Sequence, residues 1–211
     1  MNKIISISLW GDNPRYSVGA IKNAKLAQEI FPDWTVRIYF SNVIESHLQQ
    51  LKQFNNVSLI DCSREEIAPC FWRFFSLFES ENNVTLLRDS DSRLSLREKH
   101  CVDLWLLRSD DYIIIRDHIR HYDFPILAGM WGYKGKMPEE FYQKMFVFGK
   151  ENFYTIDQIY LREVVWPFAS IKSSIFGLSE DKQFFESRKE ILPHFVGQGY
   201  DEFDRPIYPV E

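Results

Sequence analysis

Three short apolar runs separated by two helical stretches open the chain, and this alternation constrains the fold more than any other feature. The run Lys3 to Leu9 (KIISISL) is β-branched and strand-like, and it breaks into Gly11, Asp12, Asn13 and Pro14, all turn formers. From Ser17 onward, Ala20, Ala24, Ala27 and Phe31 recur at helical spacing, and Pro32 closes the segment. Thr35 to Phe40 (TVRIYF) is the next strand, Ile44, Leu48 and Leu51 mark a second helix, and Val57 to Ile60 (VSLI) gives a third strand. Parallel strands need helical crossovers, so this βαβαβ start predicts an α/β fold with a mostly parallel sheet and helices on both faces.

The segment Ile67 to Phe78 carries five aromatic residues around one cation, Arg73, and predicts an aromatic helix packed on the sheet. Val84 to Leu87 (VTLL) is a fourth strand, and it runs directly into Arg88-Asp89-Ser90-Asp91-Ser92-Arg93. Beyond it the pattern predicts a helix around Cys101, Leu104, Trp105 and Leu107, an apolar run Ile113 to Ile115, and a strand over Pro125 to Met130. Helices are expected from Pro138 to Phe148, from Asp157 onward, and near Lys182 to Ile191, followed by a loop over His194 to Tyr200. With no repeat and no Gly/Ser linker, the 211 residues suit a single domain over 1–211. Its extended exit at Asp204 to Pro209 reads either as a tail or as the place where a longer protein was cut.

Composition removes several classes. At 45% hydrophobic and 26% charged the chain is an ordinary water-soluble globule, not collagen-like or disordered. A net charge of −5 offers no basic field for nucleic acid or anionic lipid. Cys62, Cys70 and Cys101 are an odd set without CxxC spacing, which argues against a disulfide framework or zinc cluster and for buried thiols in a reducing compartment. No stretch approaches the roughly 20 apolar residues of a membrane span, so a cytoplasmic protein is expected.

Asp89 and Asp91 stand one residue apart at a strand end, where extended geometry would turn both carboxylates to one side. In an open parallel sheet that edge binds ligands. Two adjacent carboxylates repel, and a divalent cation is the simplest compensation; Mg²⁺ or Mn²⁺ held by a carboxylate pair and substrate phosphates is the usual arrangement. The plain alternative is a capping Asp89 and an Asp91 paired with Arg93 in solvent. His194, on a glycine-containing loop, would shift the preference to Mn²⁺ if it joined the pair. Arg15, Arg73, Arg88 and Arg93 flank strand ends and suit phosphate, or plain surface ion pairs. Trp10 offers a face for a base, or covers the sheet edge. Asp157 and Gln158 open a helix as an N-cap, or face a sugar. Gly129 to Gly132 form a glycine turn, or admit a ligand with Trp131 as an apolar wall.

Taken in order, SISLWGDNPRYSVGAIKNAKLA, Phe71-Trp72-Arg73-Phe74, LLRDSDSRL, PILAGMWG, DQIYL from Asp157 and HFVG from His194 resemble the GT-A nucleotide-sugar glycosyltransferases. The resemblance covers most of the chain and is similar in overall look to retaining members that use UDP-sugars, including viral enzymes that build capsid glycans. It implies a GT-A, Rossmann-like fold, a UDP-sugar donor, a glycan or glycoprotein acceptor, and Mn²⁺ or Mg²⁺. Leu9 and Trp10 would border the uracil, and Asp12 and Arg15 would lie beside the nucleotide. Arg73 would brace the acidic loop or the diphosphate. Asp89 and Ser90 would face the donor, with Gly129, Trp131 and Gly197 completing its pocket. Asp89, Asp91 and His194 would ligate the metal, and Asp157 would stand near the anomeric carbon with Gln158 beside it. Some members follow HxxG with a lysine, whereas here Gln198, Gly199, Tyr200 and Asp201 follow Gly197.

Two rivals come from other classes. A phosphohydrolase would use Asp89 as nucleophile and Asp91 as general acid, with Asp110 and Asp111 as metal acids, although Arg93 stands where that pattern has Thr or Val. A non-catalytic nucleotide-sugar-binding module would bind without turnover.

Overall fold

The computed structural model describes residues 1–151, 153–177 and 194–207. Seven strands form one sheet in the order β3-β2-β1-β4-β6-β5-β7, comprising β1 (Asn2–Trp10), β2 (Thr35–Ser41), β3 (Val57–Asp61), β4 (Asn83–Arg88), β5 (Tyr112–Arg116), β6 (Met130–Lys134) and β7 (Ser173–Gly177). β3, β2, β1 and β4 run parallel, β6 is antiparallel between β4 and β5, and β7 is parallel to β5. The predicted α/β class and mostly parallel sheet are therefore the observed architecture. Among the described residues no helix is long and apolar enough to cross a membrane.

Strand alternation divides the core between two layers. Ile5, Ile7 and Leu9 of β1 face one side, where Ala20, Ala24 and Ala27 of α1 (Pro14–Ile30) and Cys101, Val102 and Trp105 of α3 (Leu96–Leu106) pack on them. Small alanines let α1 approach the sheet closely. α2 (Glu45–Leu51) completes the β2-to-β3 crossover. The opposite layer is aromatic: Phe71, Phe74, Trp131 and Tyr160 pack with α4 (Glu139–Gly149), α5 (Ile156–Tyr160) and α6 (Trp166–Ala169).

Two predicted elements differ. Pro69–Phe78 is a ten-residue 3₁₀ helix, not an α-helix. Its most deeply buried apolar residues, Phe71, Phe74 and Leu77, recur every third position, the 3₁₀ period. The strand expected over Pro125 to Met130 begins at Met130 instead. Pro125 lacks a ladder donor, and Gly129 must sit against Asp89, so 125–129 is a connection. Gly132 falls inside β6, where a Cβ would lie 2.6 Å from the Thr85 carbonyl oxygen. The helical stretch expected near Lys182 to Ile191 lies outside the described residues.

Candidate active site

β1 and β4 end at the same sheet edge, and β6 begins there, so the loops after Trp10 and Arg88 and the one before Met130 meet. Gly11, at φ +78°, takes the left-handed turn out of β1. Asn13 then accepts the Arg15 amide at 3.0 Å and caps α1, with Pro14 at its first position. Arg15 is thereby delivered to the edge on the first turn. The result is a cleft of about 680 Å³ containing Trp10, Asp12, Arg15, Arg73, Asp89, Ser90, Asp91, Asp157, Gln158 and Gly197 of the expected residues.

Its floor is an ion-pair network. Arg73, buried, donates through Nη2 to Asp157 Oδ2 at 2.9 Å and through Nη1 to Asp89 Oδ1, and its backbone is fixed by β1. Ser6 Oγ donates to the Arg73 carbonyl at 2.6 Å, and Ser8 Oγ accepts the Arg73 amide at 2.8 Å. Arg15 Nη2 pairs with Asp91 Oδ2. Two arginines thus offset part of the charge of three carboxylates. β4 stops at Arg88 and the chain turns at Ser90 and Asp91, closed by Ser92 Oγ to the Asp89 carbonyl at 3.0 Å. The two carboxylates therefore reach the cleft through a turn, not through strand alternation.

Negative charge remains in excess. Burial raises the Asp91 carboxyl above its ordinary value, with Asp89 adding and Arg15 opposing. Burial also raises Asp157, against the pull of Arg73. Asp157 Oδ1 accepts the Gln158 amide at 2.9 Å, and Gln158 Oε1 accepts from the Ala128 amide at 3.3 Å, tying α5 to the connection before β6. Asp89 is half exposed and Asp91 lines the same cleft, so both carboxylates stand where a cation could be met. Among the described residues no group of three or more His, Cys, Asp or Glu side chains is assembled to hold a metal.

Several expected residues serve differently. Among the described residues His194 is not grouped with the aspartates; it is exposed, and its ring packs edge-on to Tyr200, 5.5 Å between centroids. Trp131 is fully buried between Phe74 and Tyr112 and forms core, not a sugar wall. Leu9 alternates into the α1 layer, away from the cleft. Gly129 contributes by lacking a side chain: a Cβ there would stand 2.1 Å from Asp89 Oδ2. Arg88, read as a phosphate candidate, is buried against Glu98 and the Trp131 carbonyl. Arg93 and Lys22 both bind Asp204 and hold residues 194–207 against the acidic loop, where the Tyr200 amide donates to the Asp91 carbonyl at 2.9 Å.

Sequence reasoning missed Asn23 and Gly19. Asn23, buried in α1, donates to the Ser90 and Ser92 carbonyls at 3.1 and 2.8 Å and accepts the Leu94 amide at 3.0 Å. A Cβ on Gly19 would lie 2.2 Å from the Ser90 carbonyl oxygen. Their signal was a polar residue and a glycine on the alanine face of α1.

No protein-family model matches the chain, and no curated protein sequence does. Solved structures do resemble it. Residues 1–349 of S. aureus TarS superpose with a TM-score of 0.52 at 15% identity, covering 86% of this chain and 59% of that one. Mannosyl-3-phosphoglycerate synthase from Rubrobacter xylanophilus superposes with a TM-score of 0.50 at 10% identity, covering 89% and 70%. Both neighbours are GT-A glycosyltransferases. The chain has a GT-A, Rossmann-like fold, and it spans 59% of the TarS structure's length.

Proposed function

We infer that the protein is a glycosyltransferase that moves a hexose or 6-deoxyhexose from a UDP-sugar to a hydroxyl of a glycan or glycoprotein acceptor, with retention at the anomeric carbon. The observation that carries this reading is Arg73, held between Asp89 and Asp157 on the floor of a cleft at the carboxyl edge of β1 and β4. Trp10, 45% exposed and braced edge-on by Trp72 at 6.4 Å, offers a face for uracil. Arg15 and Arg73 suit the diphosphate, whose charge grows as the glycosidic bond breaks. A divalent ion on Asp89 and Asp91, Mn²⁺ or Mg²⁺, would supply further neutralisation of that leaving group.

Both Asp157 oxygens are engaged, by Arg73 and by the Gln158 amide, which suits a fixed negative charge facing an oxocarbenium-like carbon better than a mobile base. Retention then needs no separate base, since the departing phosphate takes the acceptor proton on the same face. The finest form of the reading is carried by the order of motifs alone: the N-terminal domain of a chlorella-virus glycosyltransferase acting on capsid glycoprotein.

The phosphohydrolase reading loses its supporting acids. Asp110 and Asp111 precede β5, at the opposite sheet edge from Asp89, where they bind Ser174 and Lys172. Incubation with a UDP-sugar panel and Mn²⁺, with UDP release followed and the product anomer read by NMR, tests the proposal. Loss of UDP release on Asp91→Ala is expected; phosphate-ester hydrolysis without sugar transfer would overturn it.

A further inference from the structure

Immediately before α5 the chain runs Phe153, Tyr154, Thr155, and all three line the cleft. Tyr154 is 91% exposed and Phe153 49%, and among the described residues neither makes a side-chain hydrogen bond or ring contact. Three residues later Asp157 is 6% exposed and bound to Arg73. The reversal is made at Thr155, a β-branched residue held at φ +74° in the left-handed region. Strain of that kind is kept where the surroundings fix a ligand-facing geometry. Across the cleft stands Tyr16 of α1, whose phenol is raised by burial and feels Arg15, Asp91, Asp89 and the Tyr154 phenol. The aromatic rim therefore overlooks both the acidic pair and Asp157.

Single exposed aromatics on a surface need no explanation. Two adjacent ones, uncharged, strained outward and set beside the residue proposed to face the reacting carbon are a different case. An aromatic face takes the apolar face of a pyranose, and a phenol tip bonds its hydroxyls. A donor sugar would sit enclosed on the cleft floor, whereas an acceptor glycan must enter from solvent and pass the rim. We propose that Phe153 and Tyr154 form an acceptor platform on which a pyranose of the incoming glycan stacks, presenting its hydroxyl toward Asp157. The inference rests on the transferase reading for its direction, but the platform's affinity for carbohydrate is a separate property.

Saturation-transfer NMR with methyl α- and β-glycosides of glucose, galactose and mannose, run beside the UDP-induced thermal shift with Mn²⁺, tests it. Tyr154→Ala and Phe153→Ala change exposed side chains, so the fold is kept. The proposal expects glycoside binding in the wild type, about tenfold weaker binding in Tyr154→Ala, near-full recovery in Tyr154→Phe, and an unchanged UDP shift throughout. Glycoside binding that survives the Phe153→Ala/Tyr154→Ala double variant, or is missing from the wild type, overturns the platform while leaving the UDP result to stand alone. Loss of the UDP shift in Tyr154→Ala also overturns it, by making the rim part of the donor site. Glycoside binding that depends on Tyr154 in a protein giving no UDP shift upholds the platform and removes the transferase reading instead.

Discussion

Arg73 Nη2 meets Asp157 Oδ2 at 2.9 Å, joining a 3₁₀ helix on one wall of the cleft to the helix that begins on the other, 84 residues later. The same guanidinium holds Asp89, so one buried cation sets the positions of two carboxylates from separate parts of the chain. Arg73→Ala leaves Asp157 as a buried charge without its partner, which costs about 3–5 kcal/mol. Urea unfolding would read that loss. Arg73→Lys keeps the charge without the two-pronged geometry and is expected to recover part of the stability and little of the UDP-sugar turnover.

Gly129 and Gly19 separate site geometry from fold. A Cβ at Gly129 meets the tip of Asp89, a side chain half exposed and able to swing, so Gly129→Ala should fold near normally while displacing Asp89 from Arg73. A Cβ at Gly19 meets the Ser90 backbone, which Asn23 pins, so Gly19→Ala should cost about 1–3 kcal/mol through overpacking. Thermal melts of both variants, with and without UDP, check the split: Gly129→Ala loses the ligand shift, and Gly19→Ala loses the baseline melting temperature.

Much of this was legible in the sequence, and the failures have physical reasons. The strand-to-acidic-turn junction at Leu87 to Asp91, the turn after Trp10 and the isolated Arg73 were readable because each breaks a local pattern. Ser6 and Ser8 look like flaws in an apolar strand; they are the hydrogen-bonding partners of the Arg73 backbone, a relationship 65 to 67 residues apart that no local pattern encodes. The period of three in Phe71, Phe74 and Leu77 was visible but reads as an ordinary helix unless burial is known. Trp131 and Leu9 were misplaced because motif order gives position along the chain, whereas the strand face decides whether a side chain meets core or cleft. His194 failed for a related reason: proximity of a loop to the acidic turn does not orient its imidazole.

Acid should release the C-terminal segment. Asp204 accepts from Lys22 at 2.6 Å and from Arg93 at 3.0 and 3.1 Å. Burial pushes its carboxyl up, but the hydrogen bonds from Lys22 and Arg93 outweigh this and hold it below the ordinary value. A native pKa below the unfolded one means that the clamp contributes fully above about pH 4 and is lost as pH falls through the lower native value. Hydrogen exchange at the Tyr200 and Ile207 amides, corrected for intrinsic rate, should show protection that falls on acidification. In Asp204→Asn the protection should be weaker and its fall on acidification smaller.

On the proposed function, the cleft bounded by Trp10, the Asp89–Asp91 turn and Asp157 binds a UDP-sugar and releases its sugar. The most direct measurement is UDP release from a panel of UDP-sugars with Mn²⁺, compared between the wild type and Asp157→Asn. The expected result is turnover of at least one donor by the wild type and a fall of at least about 100-fold in Asp157→Asn, the scale on which a fixed transition-state charge acts, with the UDP-induced thermal shift retained. Equal UDP release by both proteins, or no UDP-dependent shift in either, would contradict it.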